Sequence, residues 1–169
     1  VYIDHHYCGT LPVSDSLETH IDTAPEQCTS LIVDRLLQGQ YRLWAIAGAY
    51  GDNLDAVAGH LARTHQIAPA TLNQLQEIGR LLNYNGYGLS LDDLFAHPAD
   101  LFLELQQFPC PVDFFHNSKT LSQLRAGFHE DIAQAKQLQP VQYSASGRVF
   151  QLPQTPWARR VVGVFSNHL

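Results

Sequence analysis

Basic residues are scarce in this sequence, and no run of like charge occurs. Its 169 residues include ten Lys and Arg against sixteen Asp and Glu, which gives a formal net charge of −6. A protein that grips long nucleic acid usually presents a basic stripe. The composition therefore argues against a long nucleic acid as the partner of this chain.

Three further features are missing. Cys8, Cys28 and Cys110 are odd in number and form no C-x-x-C pair, which predicts reduced thiols in a cytoplasmic protein rather than a disulfide framework. Neither a signal peptide nor an apolar run as long as a membrane span is found, so we expect no membrane partner. Met is absent, the chain begins within an expected core strand and it stops soon after the apolar run 161–165, from which we expect further residues before Val1 and after Leu169.

The residues that are present predict a core with helices dominating after Gln40. Hydrophobic residues make up 45% of the chain, enough for one domain or slightly more. Apolar spacing and turn residues predict strands, helices and a hairpin along the chain. We expect strands at 1–4 and 17–22, a helix capped by Thr23, helices at 41–50, from 54, at 70–82 and at 118–138, two short helices within 89–108, a hairpin at 143–150 and a last helix from Pro156.

The N-terminal strand leads directly into Asp4, His5 and His6. In open α/β sheets, ligands bind beyond the carboxyl ends of the strands. Asp and His are also ligands that suit catalytic divalent metals. The pattern therefore predicts the rim of a metal site, although Asp4 could simply end a strand and the two histidines could lie on a surface loop.

A second isolated acid, Asp52, follows the small, apolar run from Ala45 to Gly51. A rigid, buried helix over this run would hold Asp52 at a fixed point. The alternative is that Asp52 caps the next helix, because Asp is a favoured N-cap residue.

Together, these two segments resemble the DHH phosphoesterase superfamily, which includes single-strand-specific exonucleases, oligoribonucleases and type II inorganic pyrophosphatases. The resemblance implies an α/β fold, namely a partial Rossmann-like parallel-sheet domain with a predominantly helical remainder. It implies the C-terminal part of the catalytic domain at 1–110, a connector helix region at 111–140 and the start of a substrate-binding domain at 141–169.

The resemblance also implies a two-metal site that uses Mn²⁺ or Mg²⁺ to hydrolyse phosphoester or phosphoanhydride bonds. His5 and Asp52 would be metal ligands, and Asp4 would be a further ligand or orient a histidine. Asp4 and His6 would be catalytic, with His6 directed at the substrate phosphate together with Asn83 and Asn85 of a loop at 83–88. Since adjacent side chains leave an extended chain on opposite sides, we expect His5 and His6 not to share one ion.

Two earlier motifs of the family, which supply most of the remaining ligands, do not occur in this sequence. We therefore expect the chain alone to bind metal poorly and to be inactive, although the longer protein would be an enzyme. The substrate could be a small phosphate compound such as pyrophosphate, a nucleotide such as a cyclic dinucleotide, or a short single-stranded oligonucleotide. Two alternatives stay open, namely an inactive DHH-derived nucleotide- or phosphate-binding regulatory module and an unrelated helical interaction domain.

Overall fold

A computed structural model describes residues 1–166 and has a mixed α/β fold that is mostly helical. The predicted fold class is confirmed at this level. The described residues form β1 (Tyr2–Asp4), β2 (Thr19–Ile21), α1 (Thr29–Leu36), α2 (Arg42–Gly51), α3 (Asp55–Thr64), α4 (Pro69–Tyr84), a 3₁₀ turn (Leu91–Asp93), α5 (Pro98–Leu105), α6 (Pro111–Asn117), α7 (Lys119–Ala135), β3 (Gln142–Ser144), β4 (Gly147–Val149) and α8 (Pro156–Ser166).

The two N-terminal strands form a small parallel sheet. Tyr2 pairs with Thr19 and Asp4 pairs with Ile21. The next residue, Asp22, donates its backbone N–H to the Asp4 carbonyl at 3.2 Å. Because the pair is parallel, both carboxyl ends lie at the same edge, and Asp4 closes that edge as the sequence predicted.

The chain divides into two compact units, with one boundary inside α4. The first comprises Val1–Arg80 and Gln107–Asn117, and the second comprises Leu81–Gln106 and Ser118–Leu169. The functional boundaries that the family resemblance implies, at 110 and 140, stay predictions. Within residues 1–166, no helix is both long and apolar enough to cross a membrane, and all three cysteines are free.

Helix α2 lies at the centre of the first unit. Its residues Ala45, Ile46, Ala47, Ala49 and Tyr50 are buried. Two glycines let its backbone approach that of α4 closely. A Cβ atom built on Gly79 would lie inside contact distance of the Ala47 carbonyl oxygen and 2.7 Å from the Gly51 nitrogen. The end of α2 is thus held by direct backbone packing.

Helix α6 completes the first unit and was not predicted. Pro109 and Pro111 suggest a break in the chain, but Pro111 is the first residue of a helix, a position that tolerates its missing N–H. Phe114 is fully buried against the rings of Trp44 and Phe108. The Trp44 indole N–H lies 3.1 Å from the Pro109 carbonyl oxygen and ties α2 to this segment.

The predicted start of α1 at Thr23 is wrong. The helix begins at Thr29, and the preceding Cys28 has an extended backbone. The Asp22 carboxylate accepts the Ala24 N–H at 3.2 Å, so a local turn replaces the expected capping box. Short polar side chains commonly compete with helix formation in this way. The turn leaves the Gln27 carbonyl outside any helix.

The second unit contains a buried polar network between α7, α8 and the 3₁₀ turn. Arg160 donates to the Asp131 carboxylate at 2.8 Å and to the Asp93 carbonyl oxygen at 2.6 Å. Arg159 forms an ion pair with the Asp93 carboxylate, and the Tyr84 hydroxyl donates to Asp131. Because each buried charge has a partner, the unit avoids the large cost of an isolated buried ion.

Hydrogen bonds and burial explain the shifted pKa values in this network. The side-chain hydrogen bond from Arg159, aided by the Leu89 N–H, holds the pKa of Asp93 far below its usual range. Burial, followed by the hydrogen bond to Asp131, raises the pKa of Tyr84 well above its ordinary value. The network therefore stays charged on Asp93 and neutral on Tyr84 at physiological pH.

Other elements of the second unit agree with the sequence. Ser118 caps α7 by accepting the Leu121 N–H at 2.9 Å, as expected for a helix that starts there. Strands β3 and β4 form the predicted hairpin, with Ser144 opposite Gly147. Helix α8 begins at the predicted Pro156.

Candidate metal and phosphate site

The site begins where β1 ends and the chain bends around the Asp4 side chain. Asp4 Oδ1 accepts the backbone N–H groups of His5 at 2.7 Å and His6 at 3.1 Å. Asp side chains commonly close tight turns by accepting nearby backbone N–H groups. The bend brings the two imidazole rings together, with centroids 4.0 Å apart. The expectation that His5 and His6 lie on opposite sides of an extended chain is therefore wrong.

His6 projects into solvent while one ring nitrogen is held in place. Its Nδ1 lies 2.9 Å from Asp4 Oδ1, and its side chain is 75% exposed. Asp4 Oδ2 accepts the Tyr2 hydroxyl at 2.9 Å. The hydrogen bond from the His6 ring, then those from the His6 N–H and Tyr2, holds the pKa of Asp4 well below its usual range. An ionised Asp4 thus leaves His6 Nε2 as the outward nitrogen.

His5 is more enclosed, and its Nδ1 faces two acceptors. This nitrogen lies 2.9 Å from the Gln27 carbonyl oxygen and 3.4 Å from Asp52 Oδ2. A nitrogen that faces a carbonyl oxygen carries the proton, which leaves Nε2 with the lone pair. The side chain is only 16% exposed, so its orientation is fixed. The predicted approach of His5 and Asp52 to within a few Å is confirmed.

Asp52 ends α2 and does not cap α3. Its N–H donates to the Gly48 carbonyl at 3.0 Å, and α3 starts only at Asp55. The N-cap alternative for Asp52 is therefore wrong. The carboxylate is 42% exposed and lies at the negative end of the α2 dipole, where an anion is unfavourable without a cation nearby.

The donor set fits one divalent cation. One ligand atom from each of Asp4, His5 and His6 lies within 4.8 Å of the others. Imidazole nitrogen with carboxylate oxygen suits Mn²⁺, Zn²⁺ or Fe²⁺. The carboxylates of Asp4 and Asp52 supply two negative charges, which balance one such ion and not two. Both Asp4 oxygens already accept hydrogen bonds, so Asp4 fits the role of orienting a histidine better than that of a ligand.

Comparison with protein-family models, with curated proteins and with solved structures finds no match for this chain. The family resemblance therefore rests on the two sequence motifs.

The two predicted asparagines belong to the second unit. Asn83 lies in the last turn of α4 rather than in a loop. Asn85 is buried, and its Oδ1 accepts the N–H groups of Phe95 and Ala96, both at 3.1 Å. Its amide N–H donates to the Ala96 carbonyl at 2.9 Å. Asn85 thus stabilises the loop in which it lies. Contacts of Asn83 or Asn85 with a substrate stay predictions.

Two parts of the site were missed by the sequence reasoning. Tyr2 was counted only as a strand residue, although its hydroxyl binds the acid two positions later. Side chains at i and i+2 of a strand share a face, so this pairing could have been found from the sequence. The Gln27 carbonyl could not, because its availability depends on where α1 begins.

Proposed function

We propose that this chain forms part of a metal-dependent phosphoesterase of the DHH class. Its substrate would carry a phosphoester or phosphoanhydride bond, as in a nucleotide, a short oligonucleotide or a small phosphate compound. The observation that carries this proposal is the 3.4 Å distance between His5 Nδ1 and Asp52 Oδ2. The two motifs are remote in sequence, and an unrelated helical interaction domain would have no reason to bring them together.

Each residue takes a role that its contacts support. His5 and the exposed Asp52 carboxylate would hold a Mn²⁺ or Mg²⁺ ion that takes the place of the His5 Nδ1 proton, because Asp52 Oδ2 lies on that side of the ring. Asp4 holds the His6 ring through Nδ1, so that Nε2 points outward, where the doubly protonated ring would donate to the substrate phosphate. A pair of such ions, when bound, lowers the pKa of a bridging water and clamps the phosphoryl oxygens during in-line attack.

A complete two-ion site requires more carboxylates than Asp4 and Asp52. We propose that β1 and β2 belong to a larger Rossmann-like parallel sheet, whose other strand ends bring those ligands. Parallel sheets are normally covered on both faces, and a two-stranded parallel pair is an unusual structure by itself. This argument supports the proposal of a larger sheet. Because Asp4 and Asp52 balance the charge of only one divalent ion, we expect little hydrolysis by this chain alone.

A second candidate function is a regulatory module that binds a nucleotide or phosphate without hydrolysing it. The observation that favours it is the pair of carboxylates, which balances one divalent ion. A single ion can bridge a phosphate ligand to His5 and Asp52. Hydrolysis would then be absent in every longer form of the protein.

Manganese titration by calorimetry tests the proposal. We expect His5→Ala and Asp52→Ala each to weaken Mn²⁺ binding by at least about tenfold, because losing an ordering partner alone typically costs that much. His60→Ala is the matched control, since His60 is an exposed histidine of α3 whose loss should leave affinity unchanged. Wild-type affinity in Asp52→Ala would overturn the metal role of Asp52.

Hydrolysis assays separate the two candidate functions. Pyrophosphate and a short oligonucleotide are incubated with Mn²⁺ and a longer form of the protein that carries additional carboxylate motifs. Turnover of either compound, abolished by His5→Ala, supports the phosphoesterase. Tight metal binding without turnover of either compound supports the binding module.

A further inference from the structure

We propose that Tyr7 is a platform on which a nucleobase stacks, so that the ligand of this site is a nucleotide or the end of a short oligonucleotide. The inference rests on the proposed function, which places the substrate phosphate at His6. It selects nucleotides and short oligonucleotides from the ligand classes that the site could bind. It also assigns Tyr7 as the residue that recognises the base.

The position of Tyr7 suits this role. It directly follows His6, and consecutive Cα atoms are separated by about 3.8 Å. Its side chain is 89% exposed, and no ring contact is made to it by the residues that the structure describes. Both faces of the phenol ring are therefore accessible, one residue along the chain from His6. A nucleotide whose phosphate contacts His6 can bring its base to this ring.

The charge of the first unit argues for a ligand with few phosphates. This unit contains four Arg and no Lys against ten Asp and Glu, so it carries the whole formal charge of −6. Three of the four arginines form ion pairs with aspartates, in the pairs Arg35–Asp22, Arg42–Asp34 and Arg80–Asp55. Such a surface cannot follow a polyphosphate backbone, because that requires a row of free cations.

Stacking of a base on Tyr7 would contribute binding free energy that the few cations of this unit cannot supply through phosphate contacts. Every nucleobase has an aromatic face, and replacing a stacking aromatic residue by alanine typically weakens binding by about fivefold to about a hundredfold. Stacking involves no net charge, so the acidic surface does not oppose it. Pyrophosphate has no base and gains nothing from Tyr7.

The test compares adenosine 5′-monophosphate (AMP) with ribose 5-phosphate, which has the same phosphate and sugar but no base. Each is titrated by calorimetry into the 169-residue chain with saturating Mn²⁺. We expect wild-type protein to bind AMP at least about fivefold more tightly than ribose 5-phosphate. Tyr7→Ala should remove this difference by weakening only AMP, whereas Tyr7→Phe should keep it because the ring remains.

Tyr143→Ala is the matched control, since Tyr143 is a 79% exposed tyrosine of β3 and its loss should leave both affinities unchanged. Equal affinities for AMP and ribose 5-phosphate in the wild type, or unchanged AMP affinity in Tyr7→Ala, overturn the role of Tyr7. Failure of the proposed function is seen separately, in the Mn²⁺ titration without any nucleotide. Absence of AMP binding overturns the inference whatever the metal titration shows.

Discussion

The two histidines of the site are set in the same tautomer by different partners. His5 Nδ1 faces a main-chain carbonyl oxygen, that of Gln27, and His6 Nδ1 faces the Asp4 carboxylate. In the neutral form of both rings, Nε2 is left with the lone pair. Asp4 also closes the turn through two backbone N–H groups. One ionised side chain therefore fixes both the backbone and the ring of His6.

This dependence on Asp4 predicts a change of tautomer at His6. In Asp4→Ala, His6 Nδ1 loses its acceptor, and the ring should populate the Nε2–H form substantially. The measurement is the pair of ¹⁵N chemical shifts of the His6 ring, recorded above the range where the imidazole titrates. Asp4→Asn serves as the comparison, because its amide oxygen can still accept the same hydrogen bonds and should keep most of the Nδ1–H form. An unchanged tautomer in Asp4→Ala would show that Asp4 does not orient His6.

Helix α2 determines where Asp52 lies, and two glycines determine where α2 lies. Gly51 and Gly79 let the backbones of α2 and α4 meet without side chains between them. The Asp52 N–H then closes the last turn of α2 on the Gly48 carbonyl. The carboxylate is thus attached to a rigid element, which is the preferred way to hold a ligand within tight limits.

Gly79→Ala should disturb both the fold and the metal site. The added Cβ would collide with the Ala47 carbonyl oxygen, so we expect a loss of about 1–3 kcal/mol in the free energy of unfolding, as for other overpacked cores. The shift of α2 should also weaken Mn²⁺ binding. Urea unfolding and calorimetry measure the two effects.

The control for this substitution is Gly59→Ala in α3. A Cβ atom there would meet only Arg63 Nη1, at an ordinary 3.5 Å. Because alanine favours a helix over glycine by about 0.5–1 kcal/mol, this variant should be as stable as the wild type or more so. Equal stability of both variants would contradict the close packing of α2 and α4.

The sequence predicted well those helices and strands whose hydrophobic pattern along the chain matches the residues that they bury. The apolar run into Asp4 predicted β1 and the buried run before Asp52 predicted α2, whereas the approach of His5 to Asp52 was predicted from the metal-ligand roles that the family resemblance implies. The start of α1 could not, because Thr23 carries a correct capping pattern that the Asp22 turn replaces. Helix α6 was missed because Phe114 is buried against Trp44, a residue distant in sequence.

Charge is distributed unequally over the whole chain. The first unit carries the formal net charge of −6, whereas the second has six acidic and six basic residues. In the second unit, Asp93 and Asp131 are matched by Arg159 and Arg160 in buried pairs. Charges there stabilise packing. In the first unit, the excess negative charge creates a potential that attracts cations.

This excess predicts that Mn²⁺ binding depends on salt. The site is partly exposed, and the Debye length shortens from about 30 Å at 0.01 M to about 8 Å at 0.15 M ionic strength. Acidic residues of the first unit outside the site should therefore contribute at low salt and be screened at high salt. We expect Mn²⁺ affinity to fall several-fold between these conditions, measured by calorimetry in NaCl.

Glu26→Gln should reduce this salt dependence without removing the site. Glu26 is exposed and precedes Gln27, whose carbonyl oxygen faces the His5 ring. Removing its charge should weaken Mn²⁺ binding modestly at 0.01 M and have almost no effect at 0.15 M, because the interaction is then screened. His60→Ala keeps all the acidic residues and should keep the wild-type salt dependence. If Glu26→Gln lowered the affinity equally at both salt concentrations, Glu26 would act through a direct contact rather than through the long-range potential of the first unit.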